Sequence, residues 1–343
     1  MNNQGERSNT LDIAKGITII LMVIGHCYST NNCILTLIYG FHMPAFFMIS
    51  GIIFGMKLKD NENYKFNVPY IVVKFLRPYL EYSALFALFL FTLKIVGREK
   101  NLALIGAGYV WKIISLQGLS VLWYLPCILL TELIFIYVNK FCKRLLMPIS
   151  VGIYLLALFF RVDGELIVLC RSFIGFAYFT IGYYIPIWGN KRRIEFSNRL
   201  ISAIWVIVSA LYVILSIKNG MVSLVDLRFN NPFLYTVAAI LGCVSLLLLS
   251  VFLSTRAHVR YVNILIGFGR KTLYILEIHM FVIEVIRLID YKAFGNILRK
   301  LGLLEGIIFG FIVCSILCGI SFANEKVKKN ELLQNKERLS CRR

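Results

Sequence analysis

Long runs of apolar residues, separated by short polar connections, recur along the whole chain. Most runs are about 17 to 25 residues long, which is the length that an α-helix needs to cross the hydrocarbon core of a bilayer. The pattern predicts an all-α, polytopic integral membrane protein with about ten transmembrane helices. The predicted spans are 11–28, 35–56, 69–96, 120–138, 146–160, 166–187, 200–217, 233–254, 272–289 and 303–323.

No internal repeat, linker or low-complexity segment interrupts this pattern. We therefore predict a single ten-span domain over residues 1–343, with a short basic tail at 324–343. The polar segment before the first apolar run carries one Arg, and no small-residue cleavage site follows that run. A secretory signal peptide has a positively charged start and a small-residue cleavage site after its apolar run. The first run is therefore interpreted as a retained span.

Composition supports the membrane interpretation. Apolar residues make up 59% of the chain and charged residues 16%, and the mean hydropathy is +0.75. Soluble domains contain about 45–50% apolar and about 25% charged residues. The nine cysteines are scattered, mostly within apolar runs, with no CxxC pair and no Cys/His cluster of zinc-ligand spacing. We predict neither a disulfide nor a bound metal.

The net charge of +19 reflects an alternation of basic and less basic connections. The connections 57–77, 139–146, 188–199 and 255–271, together with the tail, hold 23 Lys and Arg, whereas the intervening connections hold nine. Cytoplasmic loops carry the excess of Lys and Arg. This bias predicts that both termini are cytoplasmic, and it explains the charge without a nucleic-acid partner.

Ionisable residues inside the first two spans are the strongest functional signal, because such groups are costly in a membrane. Lys15 and His26 are eleven residues apart, so one helix would present both on one face, separated by about 16 Å. His42 opens the second span on the same side as His26. An imidazole can remove a proton from a hydroxyl, which makes His26 and His42 candidate catalytic residues.

Asp12 and Lys15 are three residues apart and can contact each other on a helix. Two interpretations remain open at this stage. The pair is either a local ion pair whose lysine reaches the headgroups, or part of a site for an anionic ligand on the cytoplasmic side. Arg77, Arg171 and His279 are further candidate binding residues within apolar runs.

The chain resembles the acyltransferase 3 family of membrane O-acyltransferases. Asp12, Lys15 and His26 match its D-x-x-R-x10-H signature, with Lys15 where many members have Arg. Three later segments are similar to further motifs of the family: FHMPAFFMISG, LWYLPCILLTEL and GRKTLYILEIH. The DIAKG segment and VDLRFNNPFLYTVAAILG at 225–242 are closest to the fucose 4-O-acetylase-like branch.

The resemblance implies an O-acetyltransferase of the bacterial cytoplasmic membrane. Acetyl-CoA, or another acyl-CoA, would bind from the cytoplasm as a substrate rather than as a permanently bound cofactor. Its acyl group would pass to a hydroxyl of a surface or lipid-linked glycan at the outer face. His26 would be the base, and Lys15 the cation on the donor side. A covalent acetyl-His26 intermediate stays open as an alternative to direct transfer.

A transporter or flippase of glycan precursors or ions is the alternative class, because buried charges and broken helices suit it as well. Such a protein would be expected to carry internal repeats and paired interrupted spans, and the sequence contains neither. There is also no Walker A or Rossmann glycine pattern, no GxSxG and no HExxH.

Overall fold

The computed structural model describes residues 8–61, 64–159, 164–189 and 198–320, and these residues form helices joined by short loops and turns. An isolated bridge between Ser223 and Arg228 is the one β-type pairing in these ranges. The helices are α1 Asn9–Cys27, α2 Cys33–Asp60, α3 Val68–Val96, α4 Leu102–Ile114, α5 Tyr124–Cys142, α6 Leu146–Phe159, α7 Ile167–Trp188, α8 Asn198–Asn219, α9 Pro232–Ser254, α10 Arg260–Arg270, α11 Thr272–Phe294, α12 Ile297–Lys300 and α13 305–320.

Eight helical stretches in the described part of the chain are long and apolar enough to cross a membrane. The protein is therefore a polytopic, all-helical membrane protein. Ser120–Phe159 counts as one of these stretches, although we predicted two spans there, and α11 is not among the eight. The helix α11 is not among the eight because three charged residues, Glu277, Glu284 and Arg287, lie within its otherwise apolar sequence.

Ser120–Phe159 nevertheless folds into two helices that run in opposite directions. Thr131 of α5 donates to the carbonyl of Ser172 at 3.1 Å, and Cys127 donates to that of Val168, so α5 and α7 are parallel. On α6, the Tyr154 hydroxyl lies 3.2 Å from that of Tyr178, a residue further along α7. The two predicted spans are thus separate segments packed on a shared neighbour, joined by the short turn at 143–145.

Asparagine side chains start three of the helices. Asn32 accepts a hydrogen bond from the Leu35 amide, and Asn67 accepts one from the Tyr70 amide. Asn231 accepts from two amides at the start of α9, where Pro232 occupies the first turn. Each side chain satisfies a backbone donor that the helix leaves free, and proline is well tolerated at this position.

Glycines allow two pairs of helices to approach until their backbones touch. In α2 and α7, a Cβ on Gly51 would lie 1.9 Å from the Phe179 carbonyl oxygen, and one on Gly182 would lie 2.0 Å from that of Met48. In α1 and α10, a Cβ on Gly269 would lie 1.7 Å from the Asp12 carbonyl oxygen. Small residues favour close packing between membrane helices. These contacts fix α1 and α2, which carry most of the candidate site.

Besides the four-residue α12, two longer helices occupy segments that the sequence predicts as connections. The first, α4, has no buried residue and packs against α3. The second, α10, buries Val262 and Ile266 against Ile13 of α1 while it exposes polar residues on its other side. Both are too short to cross a bilayer, so a prediction based on the length of apolar runs does not detect them. The predicted tail at 324–343 lies outside the described residues.

Candidate active site

Three histidines and one tyrosine meet near the C-terminal end of α1. We call them the histidine cluster: His26 of α1, Tyr39 and His42 of α2, and His279 of α11. The ring centroids of His26 and His279 are 5.5 Å apart, and those of Tyr39 and His42 are 5.1 Å apart. The centroid of Tyr39 lies 6.1 Å from that of His26. The membrane face at this end of α1 is called the His26 side, and the opposite face is called the Lys15 side.

Backbone contacts assign the tautomers of two of the histidines. His42 Nδ1 lies 2.8 Å from the Ile38 carbonyl oxygen, and His279 Nδ1 lies 2.9 Å from that of Ile275. Because a carbonyl can only accept, each Nδ1 carries a proton and donates it. In the neutral ring, Nε2 is then left as an acceptor. The Nε2 of His279 is buried and has no hydrogen-bond partner among the described residues.

His26 is held differently from the other two. Its Nδ1 lies 3.5 Å from the Tyr39 hydroxyl oxygen, which forms a long hydrogen bond. Its backbone carbonyl accepts a hydrogen bond of 2.9 Å from Nη2 of Arg287 on α11. Neither ring nitrogen of His26 is engaged by a backbone carbonyl in the described structure. The ring is therefore positioned by its neighbours through Nδ1, while Nε2 has no hydrogen-bond partner among the described residues.

A narrow cavity opens beside the histidine cluster, with room for about 50 Å³. Its walls come from α1, α2, α11, the segment before α5 and the loop between α8 and α9. The polar groups of the lining converge at His26, Tyr39 and His42, while the remainder is mostly apolar. The lining residues are Met22, His26, Tyr39, His42, Met43, Val121, Trp123, Tyr124, Ser223, Leu224, Val225 and Leu276.

Arg171 braces the walls of this cavity. Its Nε donates to the Val225 carbonyl at 2.9 Å, and its Nη1 donates to the Gln117 carbonyl at 3.3 Å. Its guanidinium also lies 5.2 Å above the ring of Trp123. The sequence makes Arg171 a candidate for binding substrate or donor, and the residue lies on the His26 side, where its guanidinium donates to loop carbonyls.

Lys15 and Asp12 form the ion pair that their spacing allows, with 2.7 Å between Nζ and Oδ1. Asp12 is almost fully buried, and its second oxygen lies 3.3 Å from Nε of Arg270 on α10. One carboxylate therefore faces two cations. Because this leaves a net positive charge, the ion-pair interpretation and the anion-site interpretation of Lys15 are compatible.

Two further lysines lie near Lys15, and we call Lys15, Lys57 and Lys74 the basic cluster. Lys74 of α3 interacts electrostatically with Lys15, with Lys57 at the end of α2, and with Glu132 of α5. Glu132 is 2% exposed, and its Oε2 has no hydrogen-bond partner among the described residues. Four helices thus direct charged groups to one region on the Lys15 side.

The structure brings some of the predicted site residues together and separates others. His26, His42 and His279 form one cluster, while Asp12 and Lys15 lie at the other end of α1. Arg77 is one turn from Lys74, but its side chain is 73% exposed and pairs with Glu81 at 2.7 Å. Sequence reasoning missed Tyr39, Lys57 and Lys74, which no local motif links to the rest of the site.

Comparison with known families gives one match. The model of the family described as "Acyltransferase domain", the acyltransferase 3 family, matches residues 8–323. No curated protein and no solved structure gives a significant match. The matched range covers all the helices described above, including both ends of the candidate site. The chain therefore belongs to the acyltransferase 3 family and is a polytopic membrane enzyme that transfers acyl groups.

Proposed function

We propose that this enzyme moves an acetyl group from acetyl-CoA, bound on the Lys15 side, to a hydroxyl of a surface or lipid-linked glycan on the His26 side. One observation carries the proposal. A single helix, α1, places Lys15 in the basic cluster at one end and His26 beside a cavity at the other, about 16 Å apart. The resemblance to the fucose 4-O-acetylase-like branch supports a sugar acceptor.

The basic cluster suits the phosphates of coenzyme A. Three lysines from α1, α2 and α3 converge there, and the nearby carboxylates of Asp12 and Glu132 do not neutralise all of the positive charge when Arg270 is included. Ammonium groups bind phosphate as point charges, without the fork geometry of arginine. The long pantetheine arm of the donor would then extend along α1 toward His26.

The histidine cluster suits the chemical step. His26 would accept the proton of the acceptor hydroxyl while that oxygen attacks the thioester carbonyl. The C–S bond then breaks, and the thiolate of coenzyme A leaves and takes up a proton. Tyr39 would hold the His26 ring through its Nδ1. His42, with Nδ1 fixed to a backbone carbonyl, would offer Nε2 as an acceptor to a second hydroxyl of the sugar. His279, whose Nδ1 is fixed in the same way, would orient the His26 ring that it packs against.

The alternation of basic connections supports a cytoplasmic Lys15 side and an external His26 side. In this orientation acetyl-CoA is available where Lys15 lies, and the surface glycan is available where His26 lies. We infer that both termini are cytoplasmic and that the membrane is a bacterial cytoplasmic membrane.

Two measurements test the proposed function. Surface glycans from cells with and without the protein are compared by mass spectrometry, and an acetyl group found only with the protein identifies the acceptor. Membranes are then incubated with labelled acetyl-CoA and that acceptor. If glycans are unchanged and no label is transferred, the proposal is wrong. A protein that only carries glycans would also show no thermal stabilisation by acetyl-CoA.

A further inference from the structure

A second cavity lies on the outer surface of the helix bundle, on the Lys15 side and away from the histidine cluster. It has room for about 260 Å³ between α10, the start of α11 and the last turns of α13. Ile264, Phe268, Ile275 and Leu317 give it an apolar floor, and a Cβ on Gly267 would meet nothing within 4 Å. The groove therefore has the width and polarity to hold a hydrocarbon chain.

Cations stand at the mouth of this groove. Arg260, the first residue of α10, and Lys271, the residue directly after α10, line the groove. Lys271 lines the groove together with Cys318 of α13. The segment 255–271 contains four Lys and Arg and no Asp or Glu.

The helix α10, which lines the groove, is amphipathic. One face of α10 is buried against Ile13 of α1, while Arg260 and Asn263 on another face are exposed. Amphipathic helices with basic polar faces lie at the boundary between headgroups and acyl chains. Basic pockets between membrane helices at this depth bind anionic headgroups. A zwitterionic headgroup gains less from two cations, because its own ammonium group offsets the charge of its phosphate.

We propose that this groove is a binding site for an anionic phospholipid. The phosphate would contact Arg260 and Lys271, Asn263 would donate to a headgroup oxygen, and one acyl chain would lie on Phe268 and Leu317. The charge of the mouth and the apolar floor together select this occupant over a zwitterionic lipid. The site is separate from the basic cluster, and it does not depend on the identity of the donor or the acceptor.

Cys318 provides a built-in reporter, because it lines the groove and is partly exposed. The purified full-length protein in detergent is treated with a maleimide, and the modified peptides are quantified by mass spectrometry. We expect phosphatidylglycerol to slow modification of Cys318 and to leave the exposed Cys142 unaffected. Phosphatidylcholine should protect Cys318 much less. Equal protection by the two lipids would overturn the proposal.

Charge variants make the test specific. A cation near a membrane surface contributes roughly fivefold to the affinity for an anionic lipid, so R260Q should raise the lipid concentration for half-protection about fivefold, and R260Q with K271Q about 25-fold. The matched control, R299Q with K300Q, changes two exposed cations at the end of α12 and should leave the protection of Cys318 intact. Residue 260 is exposed, so R260Q should fold normally. If phosphatidylglycerol protects Cys318 at the same concentration in R260Q as in the unchanged protein, the proposal fails.

A final arm separates the lipid from the donor. Adenosine 3′,5′-bisphosphate carries the adenosine, the 3′-phosphate and the first 5′-phosphate of coenzyme A but no hydrocarbon chain. We expect it to leave the protection of Cys318 by phosphatidylglycerol unchanged. If it displaces the lipid, these cations belong to a donor site and the proposal is contradicted.

Discussion

The imidazole rings of His26 and His279 lie 5.5 Å apart, although they belong to the first helix and to one of the last helices of the chain. The helix that carries His279 also supplies Arg287, which donates to the backbone carbonyl of His26. Two contacts from α11 thus fix the end of α1 where the proposed chemistry occurs.

Tyr39→Phe should slow acyl transfer without weakening donor binding. The substitution keeps the ring but removes the hydroxyl that lies 3.5 Å from His26 Nδ1. A hydrogen bond of this kind contributes about 0.5–1.5 kcal/mol, so kcat should fall roughly threefold to tenfold while KM for acetyl-CoA stays constant. Tyr137→Phe, at an exposed position, is the control. An unchanged kcat in Tyr39→Phe would remove the positioning role.

Lys15→Met should weaken acetyl-CoA binding while the protein stays folded, because Asp12 keeps its second partner, Arg270. A charge-assisted contact contributes about 1.5–3 kcal/mol, so the Kd should rise about tenfold to hundredfold. Lys15→Arg should bind nearly normally. Lys218→Met, an exposed cation at the end of α8, is the control. Calorimetry in detergent that gives the same Kd for Lys15→Met would leave Lys15 with only its ion pair.

Gly269→Ala and Gly267→Ala should have opposite effects on stability, although the two positions lie two residues apart on α10. A Cβ at residue 269 would lie 1.7 Å from the Asp12 carbonyl oxygen, so the two helices would have to separate. Overpacking of this kind costs about 1–3 kcal/mol. At residue 267 the new methyl meets open space, and alanine favours the helix by up to about 1 kcal/mol.

Thermal unfolding of the two alanine variants in the same detergent provides the comparison. We expect a lower midpoint than that of the unchanged protein for Gly269→Ala. For Gly267→Ala the midpoint should be equal or slightly higher. Equal midpoints for both variants would mean that α1 and α10 do not meet through this glycine.

The orientation of the protein can be tested with two exposed cysteines, Cys33 at the start of α2 and Cys142 at the end of α5. The charge bias predicts that Cys33 is external and that Cys142 is cytoplasmic. A membrane-impermeant maleimide should label Cys33 on intact cells and should label Cys142 only after the cells are opened. The reverse pattern would place His26 in the cytoplasm and contradict transfer to an external acceptor.

The sequence alone predicted the helical class and the bounds of most helices, and the helical repeat predicts a common face for Lys15 and His26. Those features depend on apolar length and on the helical repeat, which are local properties of the chain. The close contact of His26 with His279 was not predictable in the same way, because it depends on how α11 packs against α1. Tyr39 looked like an ordinary aromatic residue of the second span until its hydroxyl was found beside His26.

The basic cluster escaped prediction for a related reason. Lys57 and Lys74 belong to what looked like a cytoplasmic connection, where lysines are expected from topology alone. Their approach to Glu132 and Lys15 becomes visible only when α2, α3 and α5 are assembled. Arg171 shows the converse. A buried arginine in a span predicted a ligand, but the carbonyl groups of two loops are its partners.

The most direct test of the account is the activity of His26→Ala. Membranes containing the variant are given labelled acetyl-CoA and the acceptor glycan, and the initial rate of acetyl transfer is measured at equal protein content. His258→Ala, which removes an exposed imidazole from the loop before α10, serves as the matched control. Loss of a general base typically lowers the rate 10²–10⁴-fold, so His26→Ala should be nearly inactive while His258→Ala keeps its activity. Near-normal transfer by a correctly inserted His26→Ala protein would contradict the central claim.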